Sequence, residues 1–169
     1  MFDEVLNVSG NERMKVINPY NKLDAHLCFG CSHKNPIGLN LSFELHDESI
    51  IAHWKPDERY QGFHQVLHGG IIATLLDEVA GWVVQVICKT SGVTSELSVK
   101  YHKPVYTNEK ELRLEAKILQ YRSKIVDIEA KLVNSEGVVC STAVVSYYLF
   151  SEQIAKEKFY YPGSEAFLP

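Results

Sequence analysis

The longest apolar stretch of the chain runs from Gly69 to Cys88. Within it Ile72, Leu75, Leu76, Val79, Val83 and Ile87 recur at helical spacing, which predicts a helix over residues 71–87. The other side of that helix collects Ala73, Asp77, Ala80 and Gly81, mostly small. A helix apolar on most faces needs a cover, and the rest of the chain offers strands to supply it. Leu39, Leu41, Phe43 and Leu45 alternate with polar residues, and residues 49–54 read as their hairpin partner. After the helix come four more strand patterns: 94–103, stopped by Pro104; 111–120, where Leu112, Leu114, Ala116 and Ile118 alternate with Arg113, Glu115 and Lys117; 125–134; and 138–149 after the turn Asn134-Ser135-Glu136-Gly137.

Two strands, one long helix, then four strands joined by short turns imply an antiparallel sheet with a helix on one face, an α+β fold. Residues 1–25 are polar and mixed, with a short helix expected. Residues 26–40 form a compact loop rich in Gly and Pro, and residues 57–70 form a second loop ending in two glycines. The tail from Ser151 is expected to form a short helix and then fray. With no repeat, linker or low-complexity run, residues 1–169 are expected to be a single domain with its core at about 26–150.

Composition narrows the function classes. The 169 residues are 46% hydrophobic and 22% charged, with net charge -4 and a pI near 6.0. A mildly acidic chain is not expected to bind nucleic acid. The N-terminus carries early acids and no apolar run of signal-peptide length. Asp77, Glu78 and Gln85 interrupt the longest apolar stretch, so no membrane association is expected. The four cysteines, Cys28, Cys31, Cys88 and Cys140, are expected to be reduced thiols of a cytoplasmic protein.

The chemistry concentrates in His68-Gly69-Gly70 and Asp77. Glycines opening a helix let a ligand approach the backbone, and the first helical N–H groups lack intrahelical partners. Together with the positive end of the helix dipole they suit a site that polarises a carbonyl and holds an oxyanion. Asp77, two turns on, is a carboxylate in apolar surroundings, which suits a general base or nucleophile or a buried structural contact. Glu78, about 100° around the helix, is the rival carboxylate. Gly70 and Asp77 are separated by roughly 10 Å of helix, too far for one carbonyl carbon to touch both. Two antiparallel copies of the helix would bring Gly70 of one subunit to Asp77 of the other. The expectation is a homodimer, or a dimer of dimers, with composite sites at the interface.

Three runs of residues carry a resemblance. His68-Gly69-Gly70 precedes Asp77 by a fixed interval. Thr94-Ser95-Glu96-Leu97-Ser98-Val99-Lys100-Tyr101-His102-Lys103-Pro104 follows a T-x-x-L-x-V-x-Y-x-x-P pattern. Cys28 to Phe43 follows CFGCxxxNPxGLxLxF. Together they resemble the hotdog-fold acyl-CoA thioesterases of the phenylacetate-degradation type, over about residues 26–150. The resemblance implies a hotdog fold, an antiparallel sheet wrapped around one central helix, and hydrolysis of acyl-CoA to free acid and CoA without metal or redox cofactor. It implies that Asp77 is base or nucleophile, that the Gly70 N–H polarises the thioester carbonyl, and that His68 shapes the turn beside Gly69. Thr94 would help position water. Lys100, His102, Arg122 and Ser123, with Lys124 assisting, would contact CoA phosphate or ribose; each is equally a plausible exposed strand residue. Some relatives carry an Asn or Gln before the His-Gly-Gly turn that orients water; here Gln61, Gln65 and His64 stand in that loop.

His26-x-Cys28-x-x-Cys31-x-His33 sets four metal-capable residues within eight positions. It lacks the second, distant ligand pair of a structural zinc site, and a packed thiol pair accounts for it as economically, so no metal is expected. Nothing in the sequence orients a base toward Cys28 as an acyl nucleophile. Tyr147, Tyr148, Phe150, Tyr160 and Tyr161 read as core or interface, with an acyl-pocket lining as the alternative. Two other readings compete with hydrolysis: a hotdog dehydratase or hydratase, and a non-catalytic acyl-CoA-binding module.

Overall fold

The computed structural model of the chain describes residues 13–169; the helix expected within 1–25 lies partly outside them. Of the rest of that segment, Met14–Lys15 is a short strand (β1) and Pro19–Lys22 a single 3-10 turn capped by the Asn18 side chain. The strands that follow are β2 (Phe43–His46), β3 (Ser49–Trp54), β4 (Gln61–Phe63) and β5 (Val66–Leu67). Helix α1 spans Gly69–Val86. Then come β6 (Gly92–Tyr101), β7 (Leu112–Arg122), β8 (Ile125–Val133), β9 (Val139–Leu149) and helix α2 (Glu152–Phe159).

Seven strands form one sheet in the order β1-β2-β3-β7-β8-β9-β6, each neighbour antiparallel. β4 and β5 make a separate hairpin that leads into α1. The connection through that hairpin and α1 carries the chain from β3 to the opposite edge, where β6 pairs with β9. Helix α1 lies across β3, β7, β8, β9 and β6. Its Leu75, Leu76, Val79, Ala80 and Val83 are fully buried against Leu112, Leu114, Ile128, Leu132 and Val145 from alternate positions of the strands. In length and composition α1 would pass for a membrane span, yet here it is the core helix under the sheet.

Three expectations need correction. Ala80 faces the core, not the small-residue side of the helix. Leu39 and Leu41 lie outside β2: their N–H groups bond Phe29 O and Gly30 O in the preceding loop, while their side chains still cap the core. Alternation of buried positions does not require a neighbouring strand. The tail does not fray. Tyr160, left-handed at the end of α2, reverses the chain, and Phe167 returns to full burial among Tyr20, Trp82 and Tyr161. Its carbonyl accepts from Ile17 N–H at 2.8 Å.

One buried charge ties three strands together on the face away from α1. Asp127 accepts from Arg122 Nε and Nη2 at 2.7 and 2.6 Å, from Ser146 Oγ at 2.7 Å and from Gln120 Nε2 at 2.8 Å. The Arg122 guanidinium, followed by the Ser146 hydroxyl, holds this carboxyl well below the usual aspartate range, against the effect of burial.

Two outcomes follow. Phe167→Ala should destabilise the protein by about 3–5 kcal/mol in urea unfolding, since it empties a packed aromatic site; a change below about 1 kcal/mol would show that the tail is not part of the core. Because Asp127 binds its proton less readily folded than unfolded, its stabilisation is full above the ordinary aspartate range of about pH 4 and drains away as pH falls toward the lower folded value. Asp127→Asn should therefore flatten the loss of stability between about pH 5 and pH 2, read from unfolding midpoints across that series.

Candidate active site

His68 stands at the N-cap of α1 with extended backbone, and its Nδ1 accepts from Gly70 N–H at 2.8 Å. A ring nitrogen that accepts is unprotonated, so the imidazole in this arrangement carries its proton on Nε2. The turn is held from a second side: Tyr101 at the end of β6 donates its hydroxyl to Gly69 O at 2.8 Å. The Gly70 N–H is thus turned to the helix mouth and engaged by its own cap. A carbonyl arriving there has to share or replace the His68 contact.

Asp77 sits on the side of α1 that faces β6 and β9. Thr94 Oγ1, from β6, donates to Asp77 Oδ1 at 3.0 Å, and Tyr147 OH, from β9, donates to the same oxygen at 2.7 Å. The Tyr147 hydroxyl lies equally near the Asp77 main-chain oxygen, at 2.7 Å. Thr94 and Tyr147 are cross-strand partners in the β6–β9 ladder, so one rung of the sheet presents both hydroxyls to the carboxylate. Burial, and then the neighbouring Asp77 charge, push the Tyr147 phenol up, so it stays a donor. Asp77 Oδ2 takes neither bond. Gly81, one turn along α1, leaves room for this tyrosine: a Cβ there would lie 3.3 Å from the Tyr147 hydroxyl.

Tyr147 is the site residue that the sequence reading missed. It reads there as one of five aromatics near the C-terminus, and period-2 burial of β9 puts it inside without saying that its hydroxyl reaches α1. The available signal was the pairing of a buried phenol, which needs a partner, with a half-buried carboxylate, which needs a donor.

The other residues that the resemblance implies do not gather at Asp77 within one chain. Lys100 lines a surface groove of about 340 Å³ on the outer face of the sheet, with Lys117, Lys131 and Thr142. His102 Nε2 is 2.8 Å from Thr142 Oγ1 on that side. Arg122 is occupied by Asp127, whose neighbours Val126 and Ile128 point into the core. Ser123, in the left-handed region, and Lys124 form the β7–β8 turn. In the loop before α1, Gln61 Oε1 accepts from Gln65 N–H at 3.1 Å, which closes the β4–β5 turn; His64 is exposed.

Glu78, beside Asp77 on the helix, points the other way. Its Oε1 accepts from Trp82 Nε1 at 3.1 Å and lies 3.5 Å from Cys28 Sγ. Gly30 packs on this carboxylate so closely that a Cβ there would fall 2.3 Å from it. The two adjacent acids therefore serve different neighbourhoods: Asp77 the β6–β9 edge, Glu78 the loop at residues 26–41.

Residues 64–141, from the loop before α1 to the start of β9, match the family model described as the Thioesterase superfamily. No curated protein matches the chain in sequence. Among solved structures, one described as a thioesterase superfamily protein is 25% identical with a TM-score of 0.67, over 72% of this chain and 59% of that one. The present chain thus spans about three fifths of that relative. A hypothetical thioesterase from Streptococcus pneumoniae, solved with coenzyme A, is 20% identical with a TM-score of 0.62, over 67% and 88% of the two chains. The E. coli PaaI protein from the phenylacetic acid degradation operon is 15% identical with a TM-score of 0.61, over 68% and 82%. The last two share the fold. Residues 64–141 thus match the Thioesterase superfamily model, and an antiparallel sheet wrapped over one long helix gives this chain the hotdog fold.

Proposed function

We propose that the protein hydrolyses acyl thioesters of coenzyme A, with Asp77 as general base. The observation that carries this reading is the fixed carboxylate: Asp77, on the helix that His68-Gly69-Gly70 opens, held through Oδ1 by Thr94 and Tyr147. The coenzyme A in the pneumococcal relative supports the carrier. Two donors on one oxygen fix the carboxylate plane and leave Oδ2 for a water. Oδ2 takes a proton as the water oxygen attacks the thioester carbon. The carbonyl oxygen, now negative, is met by the Gly70 N–H and the helix dipole. Collapse breaks the C–S bond, and the proton held by Asp77 goes to the departing CoA thiolate. Tyr147 is a positioning residue that aims the carboxylate.

Gly70 and Asp77 lie on one continuous helix, roughly 10 Å apart, so the site needs a second copy of the chain. Val93, Leu97 and Tyr101 on edge strand β6 are exposed beside the Asp77 face of α1, which suits two-fold pairing there. In that arrangement Lys100, His102, Arg122, Ser123 and Lys124 would serve a CoA that reaches across from the partner's site. The four unpaired cysteines fit a reducing compartment such as the cytoplasm.

On a panel of short, long and aromatic acyl-CoAs, the native protein should release free thiol. Asp77→Asn should lower kcat by about 10²–10⁴-fold, and Tyr147→Phe by about tenfold as the carboxylate loses its nearer donor. Thiol release unchanged in a folded Asp77→Asn variant would remove Asp77 from the reaction; tight acyl-CoA binding without turnover in the native protein would make it a binding module. The composite site has its own test. Gly70→Pro removes the N–H at a first-turn position that tolerates proline. When Gly70→Pro and Asp77→Asn proteins are unfolded together and refolded, mixed dimers each regain one intact site, about a quarter of native activity. No regain would place both groups in one chain's site.

A further inference from the structure

We propose that Cys28, Cys31 and Glu78 form a binding site for a zinc ion that clamps the loop at residues 26–41 onto helix α1. The proposal is independent of the thioesterase reading. The donor atoms of the three residues all lie within 4.8 Å of one another, and among the described residues theirs is the one such cluster of three. Cys28 Sγ stands 3.5 Å from Glu78 Oε1 and 3.6 Å from Oε2. A tetrahedral Zn²⁺, with bonds of about 2.3 Å to sulfur and about 2.0–2.2 Å to a carboxylate oxygen, sets those two ligands about 3.5–3.7 Å apart. Cys28 and Glu78 are therefore spaced as two ligands of one ion, with the Cys31 donor atom within 4.8 Å of both.

The sequence pattern alone lacked a ligand remote from Cys-x-x-Cys. The fold supplies it, fifty residues on, from the neighbour of Asp77. The backbone around the two thiols is already fixed. Ser32 N–H bonds Cys28 O at 3.1 Å, Leu39 N–H bonds Phe29 O at 2.7 Å, Leu41 N–H bonds Gly30 O at 2.9 Å, and Asn18 Nδ2 bonds Cys31 O at 3.3 Å. Gly30, between the cysteines, has no Cβ to keep the carboxylate away, and any other residue would collide with it.

Electrostatics calls for a cation here. Glu78 is half-buried against two thiols, and among the described residues no Lys or Arg pairs with it. Its hydrogen-bond donors, the Trp82 N–H and the Cys28 thiol, are both neutral, so a cation bound here would meet an unpaired negative charge. Zinc supplies two positive charges and releases the thiol protons to solvent as the sulfurs bind. Thiolate pairs favour zinc over magnesium or calcium, which prefer oxygen. Three protein ligands leave one position for water.

The test uses the full, untagged chain under reducing conditions. Native mass spectrometry should find one zinc per chain. Replacing zinc by cobalt should give a thiolate-to-cobalt charge-transfer band in the near ultraviolet together with the intense visible bands of a tetrahedral site. Glu78→Gln should keep the charge-transfer band and weaken zinc at least tenfold in competition with a chromophoric chelator. Cys28→Ser with Cys31→Ser should abolish the band, with circular dichroism reporting the fold; if that variant does not fold, the native cobalt spectrum decides. A native chain that retains no zinc through desalting and shows no charge-transfer band overturns the proposal. So does a cobalt spectrum that survives loss of both cysteines in a folded protein.

Discussion

The structure depends on burying one apolar helix under an antiparallel sheet while part of that helix stays open. The fully buried residues Leu75, Leu76, Val79, Ala80 and Val83 anchor α1 to strands β3, β7, β8, β9 and β6. At about 25 cal/mol per Å² of apolar area, side chains of this size outweigh any single hydrogen bond in the molecule. That burial fixes where the first turn and Asp77 stand. The polar contacts then aim what packing has placed: His68 at the cap, Tyr101 on the turn, Thr94 and Tyr147 on the carboxylate.

Much of this is legible in the sequence. The helix and its strand partners follow from period-3.6 and period-2 patterns, because the large apolar core residues of β2 and β7 and of α1 recur at those periods. The errors have local causes. Leu39 and Leu41 alternate like a strand but pair with their own loop. The tail after Ser151 is polar on average, yet Tyr161 and Phe167 suffice to draw it back over the core. A pattern reports which residues are buried more faithfully than what their backbones bond to.

The site is legible in a different measure. His68, Gly70 and Asp77 stand out by type and spacing, since they share one short stretch, and Thr94 stands out through the family resemblance. Tyr147 and the Glu78–Cys28 contact join residues separated by 70 and 50 positions. No spacing rule reaches that far; such contacts exist because the sheet brings β9 and the N-terminal loop to opposite sides of one helix. Lys100 lines the outer face of the sheet and Arg122 pairs with Asp127, placements that residue type within a motif does not give.

The adjacent carboxylates at positions 77 and 78 have a mechanical meaning. Successive residues on a helix point about 100° apart, so two side chains tethered in different directions fix its rotation as well as its position. Asp77 is tied to the sheet and Glu78 to the loop through Cys28 and Gly30. Apolar burial holds the helix in place, and the two tethers add resistance to rotation about its axis.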